Sequence, residues 1–235
     1  MLPRTLEPES MAGDDEARDY DAMDHQAVNR AFVADLLAAW QTALWPPENG
    51  VNVLDVGTGT ALIPLELCRQ AETFRVTATD LSGPMLELAK RNVAAEQLED
   101  RIRVVGQDCK NLAEEDESYD LVMSNSLWHH LPEPEPAWSE VWRVLRPKGL
   151  LFLRDLVRPR SVEELEYLVN LYAGMSTPLQ KQLLRQSLHA AFTLAEVQAQ
   201  MARLGIPAHA ASLTSDRHWT VVAFKPDVTV TAPRF

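Results

Sequence analysis

Through the middle of the chain, short apolar runs alternate with segments of helical period. Residues 51–56, 74–79, 102–106, 119–124 and 150–154 are rich in Val, Ile, Leu, Phe and Thr, are bounded by Gly, Asp or Asn, and read as strands. Between them lie helix-like stretches. The segment 61–68 follows the first strand. Met85, Leu88, Ala89 and Val93 form one face behind a capping Ser82, and Ala137, Val141, Val144 and Leu145 form another after Pro136. Residues 114–117 make a solvated connection, and Pro147, Lys148 and Gly149 turn the chain into the fifth strand. Five strand-helix alternations imply a parallel sheet with helices on both faces.

The flanks follow other patterns. Residues 1–18 mix Pro, Glu, Asp and Gly without hydrophobic period, which predicts disorder or a loosely attached arm. Val28, Phe32, Leu36 and Trp40 then recur at helical spacing until Pro46 and Pro47, and 19–25 ahead of them suits a flap or a plain helix lead-in. After the fifth strand, 159–192 is helix-rich. Leu165, Leu168, Val169 and Tyr172 share one face and Leu179, Leu183 and Leu184 another, as in an inserted cap. Thr193 and Glu196 form a capping box, Phe192 and Val197 a hydrophobic staple, and Gly205 follows the last turn. Two further strands are expected near 208–213 and 218–224. The link of residues 214–217 is short enough only for an antiparallel pair.

Composition narrows the class. A chain of 235 residues accommodates one α/β core with a modest accessory element, divided here as an arm and helical flap over 1–45 and a main domain over 46–235. No apolar run reaches the ~20 residues of a membrane span, and no signal-peptide pattern opens the chain, which places it in the cytoplasm. The net charge of −12 argues against a phosphate-tracking nucleic-acid surface. Cys68 and Cys109 have neither metal-ligand spacing nor the number for a disulfide framework, and no metal site is expected.

Candidate chemistry collects at the carboxyl ends of the strands, where ligands of such sheets bind. Gly57 and Gly59 let a ligand lie against the backbone, Asp55 precedes the turn, and the following helix points its free N–H groups at the crevice. Asp80 lies 21 residues after Gly59, where a second strand sets a carboxylate beside a ribose. Asp108, Ser124, Asn125 and Asp155 end the later strands. If the last two strands form the predicted pair, Asp216, Arg217 and His218 face the same edge.

Over roughly 51–155 these residues resemble the class I S-adenosylmethionine-dependent methyltransferases, in the style of the quinone and small-molecule branch. The resemblance implies a three-layer, Rossmann-like α/β fold of seven strands in the order 3-2-1-4-5-7-6, the last antiparallel. It implies S-adenosyl-L-methionine as cofactor, leaving as S-adenosyl-L-homocysteine. Asp55, Gly57, Thr58 and Gly59 become the nucleotide loop, Asp80 the ribose ligand, Leu81 and Met85 the adenine walls, and Asp108 with Cys109 the partners of the adenine amino end. Ser124 and Asn125 fall beside the methionine moiety and Tyr20 on the flap over it. His129 and His130 follow the fourth strand as candidate bases, and His25, Asp155, Asp216, Arg217 and His218 as acceptor contacts. A small-molecule acceptor is implied, with a homodimer left open. Ala61 and Lys148 depart from the family pattern, each standing where glycine is usual.

Rival readings fit less well. A nicotinamide dehydrogenase expects a third glycine where Leu62 stands, and a nucleic-acid amino-methyltransferase expects Asn/Asp-Pro-Pro-Tyr where the chain reads Ser124, Asn125, Ser126, Leu127. Two alternatives keep the cofactor. A non-catalytic sensor would close the acceptor space with an apolar side chain over Asn125 and His129, and another kind of enzyme would use the cofactor without transferring its methyl group.

Overall fold

Strands buried on both faces need apolar residues of both parities. β1 (Val51–Val56), β2 (Phe74–Asp80), β4 (Tyr119–Asn125) and β5 (Leu145–Leu156) supply them. The computed structural model describes residues 2–8, 13, 17, 21, 25–43, 47 and 50–227. With β3 (Ile102–Gly106), β6 (Ala211–Leu213) and β7 (His218–Phe224) it forms a seven-stranded sheet ordered β3-β2-β1-β4-β5-β7-β6. β1 to β5 are parallel, and β7 runs antiparallel to both β5 and β6. The predicted order and direction are both found.

The period of two sorts neighbouring residues onto opposite cores. Val122, Leu151 and Leu153 pack under α4 (Glu135–Val144) and α7 (Leu194–Ala202), with Trp138 and Trp219 filling that side. Leu121, Met123 and Phe152 point the other way, to α1 (Gln26–Trp40), α2 (Leu62–Gln70) and α3 (Gly83–Ala95). Phe32, Val33 and Leu36 make α1 part of this second core, and Phe32 meets Phe152 edge-on at 5.1 Å. α5 (Val162–Ala173) and α6 (Pro178–Ala190) form the cap after β5, on a third cluster of Leu156, Leu165, Leu168, Val169 and Leu188.

Four local readings are corrected. Leu145 opens β5 instead of closing a helix. The pairing jumps from Tyr119 with Leu145 to Leu121 with Leu150, so Pro147, Lys148 and Gly149 form a bulge inside the strand. Lys148 takes φ +66 there, and a Cβ on Gly149 would lie 2.9 Å from the Asp120 carbonyl oxygen. Ala61 likewise adopts φ 63 at the start of α2, so the alanine takes up the left-handed backbone that glycine favours. Residues 208–210 are a 3-10 turn ahead of a shorter β6.

The fourth correction concerns the amino terminus. Residues 2–8 are docked against the cap. Leu2 is buried, its N–H donates to the Arg160 carbonyl, and the Thr5 N–H donates to that of His189. Arg4 anchors the segment by donating to the carbonyls of Ala190, Leu131 and His129 at 2.6, 2.8 and 3.1 Å, with its guanidinium 3.7 Å above the Phe192 ring centroid. Such attachment relies on carbonyl acceptors from distant loops, so it leaves no hydrophobic period in the segment itself.

Candidate active site

The carboxyl ends of β1, β2, β4 and β5 open into a cavity of about 900 Å³, walled by α1, the cap and the β6–β7 turn. A smaller cavity of about 350 Å³ lies at the opposite ends of β1 to β3, where Arg103 and Glu114 pair with each other.

One side of the large cavity is built on backbone. Gly57 has φ +72, and a Cβ there would fall 2.8 Å from Leu127 Cδ1, so a side chain at 57 would be strained and would have to displace Leu127. The Thr58 N–H donates to the Thr79 carbonyl at 2.8 Å. Asp80 then locks the turn to β2: Oδ2 accepts from the Gly59 N–H at 2.8 Å and Oδ1 from the Ser82 N–H at 2.9 Å. The carboxylate keeps lone-pair capacity for a ligand beyond these bonds. Burial raises the Asp80 carboxyl, with the N–H bonds from Ser82, Gly59 and Leu81 pulling it back. Burial pushes Asp55 up to about 7 against the Thr58 hydrogen bond, and nearby Asp80 adds to the rise. A cation bound near this pair would favour both charged forms. Leu81 is exposed to the cavity at 54% and Met85 is buried beside it, together an apolar wall.

Further along, Asp108 Oδ1 accepts from the Lys110 N–H at 2.9 Å while half-buried Cys109 and Asn125 line the space. Ser124 does not reach it. Its hydroxyl donates to the Val56 carbonyl at 2.6 Å and ties β4 to β1. Tyr20 lies outside the described residues, as does most of the flap, whereas His25 lines the cavity ahead of α1.

The other side is assembled from distant segments. His129 sits in a 3-10 turn (Trp128–His130) and is 3% exposed. Its Nδ1 donates to Asp155 Oδ1 at 2.5 Å, its backbone N–H donates to Asp155 Oδ2 at 3.0 Å, and its Nε2 lies 3.3 Å from Glu7 Oε1. Asp155 therefore lies behind the imidazole and outside the cavity lining. Burial would lower the His129 value, but Asp155, with help from Glu7, raises it. Asp155 is held low in spite of burial, chiefly by His129. His130 also lines the cavity, lowered to about 4 by burial and by the charge of His129.

The β6–β7 turn meets the cap. Tyr172 donates its hydroxyl to Asp216 at 2.6 Å, and the Arg217 guanidinium lies 3.2 Å above the Tyr172 ring centroid. Arg217 and His218 line the cavity, while Asp216 faces Tyr172. His218 is lowered to about 4, first by burial and then by Arg217. Sequence reasoning missed Glu7 and Arg154. Arg154 lines the cavity from β5, donating to Thr220 Oγ1 at 2.9 Å and pairing with Asp35 at 2.7 Å. Its place at a strand end was a usable signal; Glu7 offered none.

Residues 54–153, the stretch holding the turn, Asp80 and the histidines, match the family model of a methyltransferase domain. The chain is similar, over that stretch, to methyltransferase domains. It is 32% identical over 151 residues to a demethylmenaquinone methyltransferase of Porphyromonas gingivalis, covering 64% of this chain and 61% of that protein. To a malonyl-[acyl-carrier protein] O-methyltransferase of Priestia megaterium it is 30% identical over 135 residues, 57% and 46% of the two chains. The chain spans about half to three fifths of the length of these relatives. In fold it is similar to a protein of Methanococcus maripaludis proposed to be an S-adenosyl-L-methionine-dependent methyltransferase, with TM-score 0.71, 21% identity, and 97% and 100% of the chains covered.

Proposed function

We propose that the protein transfers the methyl group of S-adenosyl-L-methionine to a small-molecule acceptor. The carrying observation is that Asp55, Gly57, Gly59, Asp80, Leu81, Met85 and Asp108 meet at one side of a single cavity whose other side holds a polar cluster. The cofactor residues fit the group. Asp80 retains lone-pair capacity for a ribose hydroxyl, Leu81 and Met85 offer apolar contact to a purine, and a sulfonium cation would stabilise the charged forms of the buried Asp55 and Asp80 carboxyls. When bound, the cofactor supplies an electrophilic methyl carbon.

Transfer is an in-line displacement, so the chain's main task is to hold the acceptor atom collinear with methyl and sulfur. The cap supplies Leu183 and Leu184 for the acceptor's apolar body, and Arg154, Arg217 and His218 for polar groups. His129 is the residue that takes a proton from an acceptor that must lose one: Asp155 fixes its Nδ1–H, so exchange falls to Nε2. The side chain on that nitrogen is the Glu7 carboxylate, not an apolar plug, which favours catalysis over sensing. We place this chemistry in the cytoplasm and on small molecules. No helix among the described residues is long and apolar enough to cross a membrane, and the net charge of −12 disfavours nucleic acid. The test is incubation with methyl-labelled cofactor and a metabolite extract. Labelled product and S-adenosyl-L-homocysteine in equal amounts support the proposal, and cofactor bound without either product contradicts it.

A further inference from the structure

Glu7, His129 and His130 make the one group of three metal-ligating side chains found among the described residues, their ligand atoms all within 4.8 Å of one another. We infer that Glu7 Oε1, His129 Nε2 and His130 Nδ1 form a binding site for a divalent first-row transition ion, open towards the acceptor side of the cavity. This inference rests on the proposed function only for the ion's task.

Geometry carries the case. Glu7 Oε1 is 3.3 Å from His129 Nε2 and 3.3 Å from His130 Nδ1. Donors about 2.0–2.1 Å from a tetrahedral ion stand about 3.3 Å apart along each edge. The oxygen is aimed and unspent. Oε2 of the same carboxylate accepts from Ser187 Oγ at 3.2 Å, while Oε1 is buried and makes no hydrogen bond, in a side chain only 8% exposed. His130 Nδ1 also makes a hydrogen-bond contact of 3.2 Å with the Pro8 carbonyl oxygen, which a bound ion would replace.

The surroundings match a metal's needs as well. The Nδ1 of His129 is held by the Asp155 carboxylate, the outer partner that fixes the tautomer and orientation of ligating imidazoles. Two imidazoles and one carboxylate suit Zn²⁺, Fe²⁺ or Co²⁺ better than Ca²⁺ or Mg²⁺. Both histidines line the cavity, which leaves coordination positions for an acceptor hydroxyl. With the ion bound, Nε2 is no longer a base. The ion lowers the pKa of the hydroxyl, the proton leaves to solvent, the oxygen's electron pair attacks the methyl carbon, and the carbon–sulfur bond breaks to leave the thioether.

The groups facing His129 are Asp155 from β5, Glu7 and Arg4 from the arm, and neighbouring His130. Equilibrium dialysis of the full chain against Zn²⁺ at pH 7.5, repeated with Co²⁺ and read by its visible absorption, tests the site. One ion per chain is expected, with affinity falling by about 10- to 100-fold in Asp155→Asn, and at least as far in Glu7→Gln and His130→Gln. Each variant is also titrated with S-adenosyl-L-methionine, which should bind as to wild type and shows that the fold is intact. Absence of saturable binding by the wild type, or binding unchanged in both Glu7→Gln and His130→Gln, overturns the inference. Cofactor binding without metal binding leaves the transfer proposal standing, whereas labelled product never forming in metal-loaded protein defeats the latter alone.

Discussion

Gly57, Gly59, Asp80 and Met85 come from one stretch of sequence and shape their side of the cavity mainly through backbone. The opposite side draws Glu7, His129, Asp155, Tyr172, Ser187 and Arg217 from almost the full length of the chain and works through side chains. A ligand held by peptide groups at strand ends needs only the right φ values and one carboxylate, and those survive as a local pattern. A site made by an arm, a 3-10 turn, a cap and a hairpin is specific because each part comes from elsewhere, and the same fact hides it in the sequence.

If the two sides are separable, substitutions should divide the phenotypes. His129→Ala should lower turnover by about 10²- to 10⁴-fold, with cofactor affinity in calorimetry nearly unchanged; equal losses in both would merge the two halves. Gly57→Ala should do the converse. Its methyl meets Leu127 in a left-handed turn, so cofactor affinity should fall by about 10-fold or more, from strain of about 1–2 kcal/mol.

Arg4→Ala should act on the acceptor side through the arm. Loss of its carbonyl hydrogen bonds should cost about 2 kcal/mol, or a thermal midpoint lower by about 4–8 °C. An unchanged midpoint would mean the arm is not held. The acid-base contribution is smaller and is best read on chelated protein. His129 has a raised folded value, so its stabilisation is present below its ordinary 6.5 and is lost as pH climbs through the raised value. Asp155 is depressed, so its share is present above its ordinary 3.8 and is lost as pH falls through the lowered value. The midpoint should therefore peak between those limits, and Asp155→Asn should flatten the peak. Tyr172→Phe, which removes only the hydroxyl bond to Asp216, should raise the acceptor KM a few-fold and leave kcat alone.

The alternation of 51–154 made the sheet legible, because the direction of each crossover follows from the handedness of strand and helix. Asp80 was legible through its distance from Gly59. Ser124 was misplaced because a strand-end position does not say which way its hydroxyl turns. Asp155 stood at such an end too, yet its partner is an imidazole from a different loop. Glu7 lay in a segment without period, and only the docked arm brings it to His129.

The central claim is that the Gly57–Asp80 side binds S-adenosyl-L-methionine. Calorimetric titration of the wild-type chain and of Asp80→Ala tests it most directly. Saturable binding of one cofactor per chain, weakened by about 100-fold in Asp80→Ala through loss of charge-assisted bonds of about 1.5–3 kcal/mol each, is the predicted result. No binding by the wild type, or equal binding by both proteins, would contradict it.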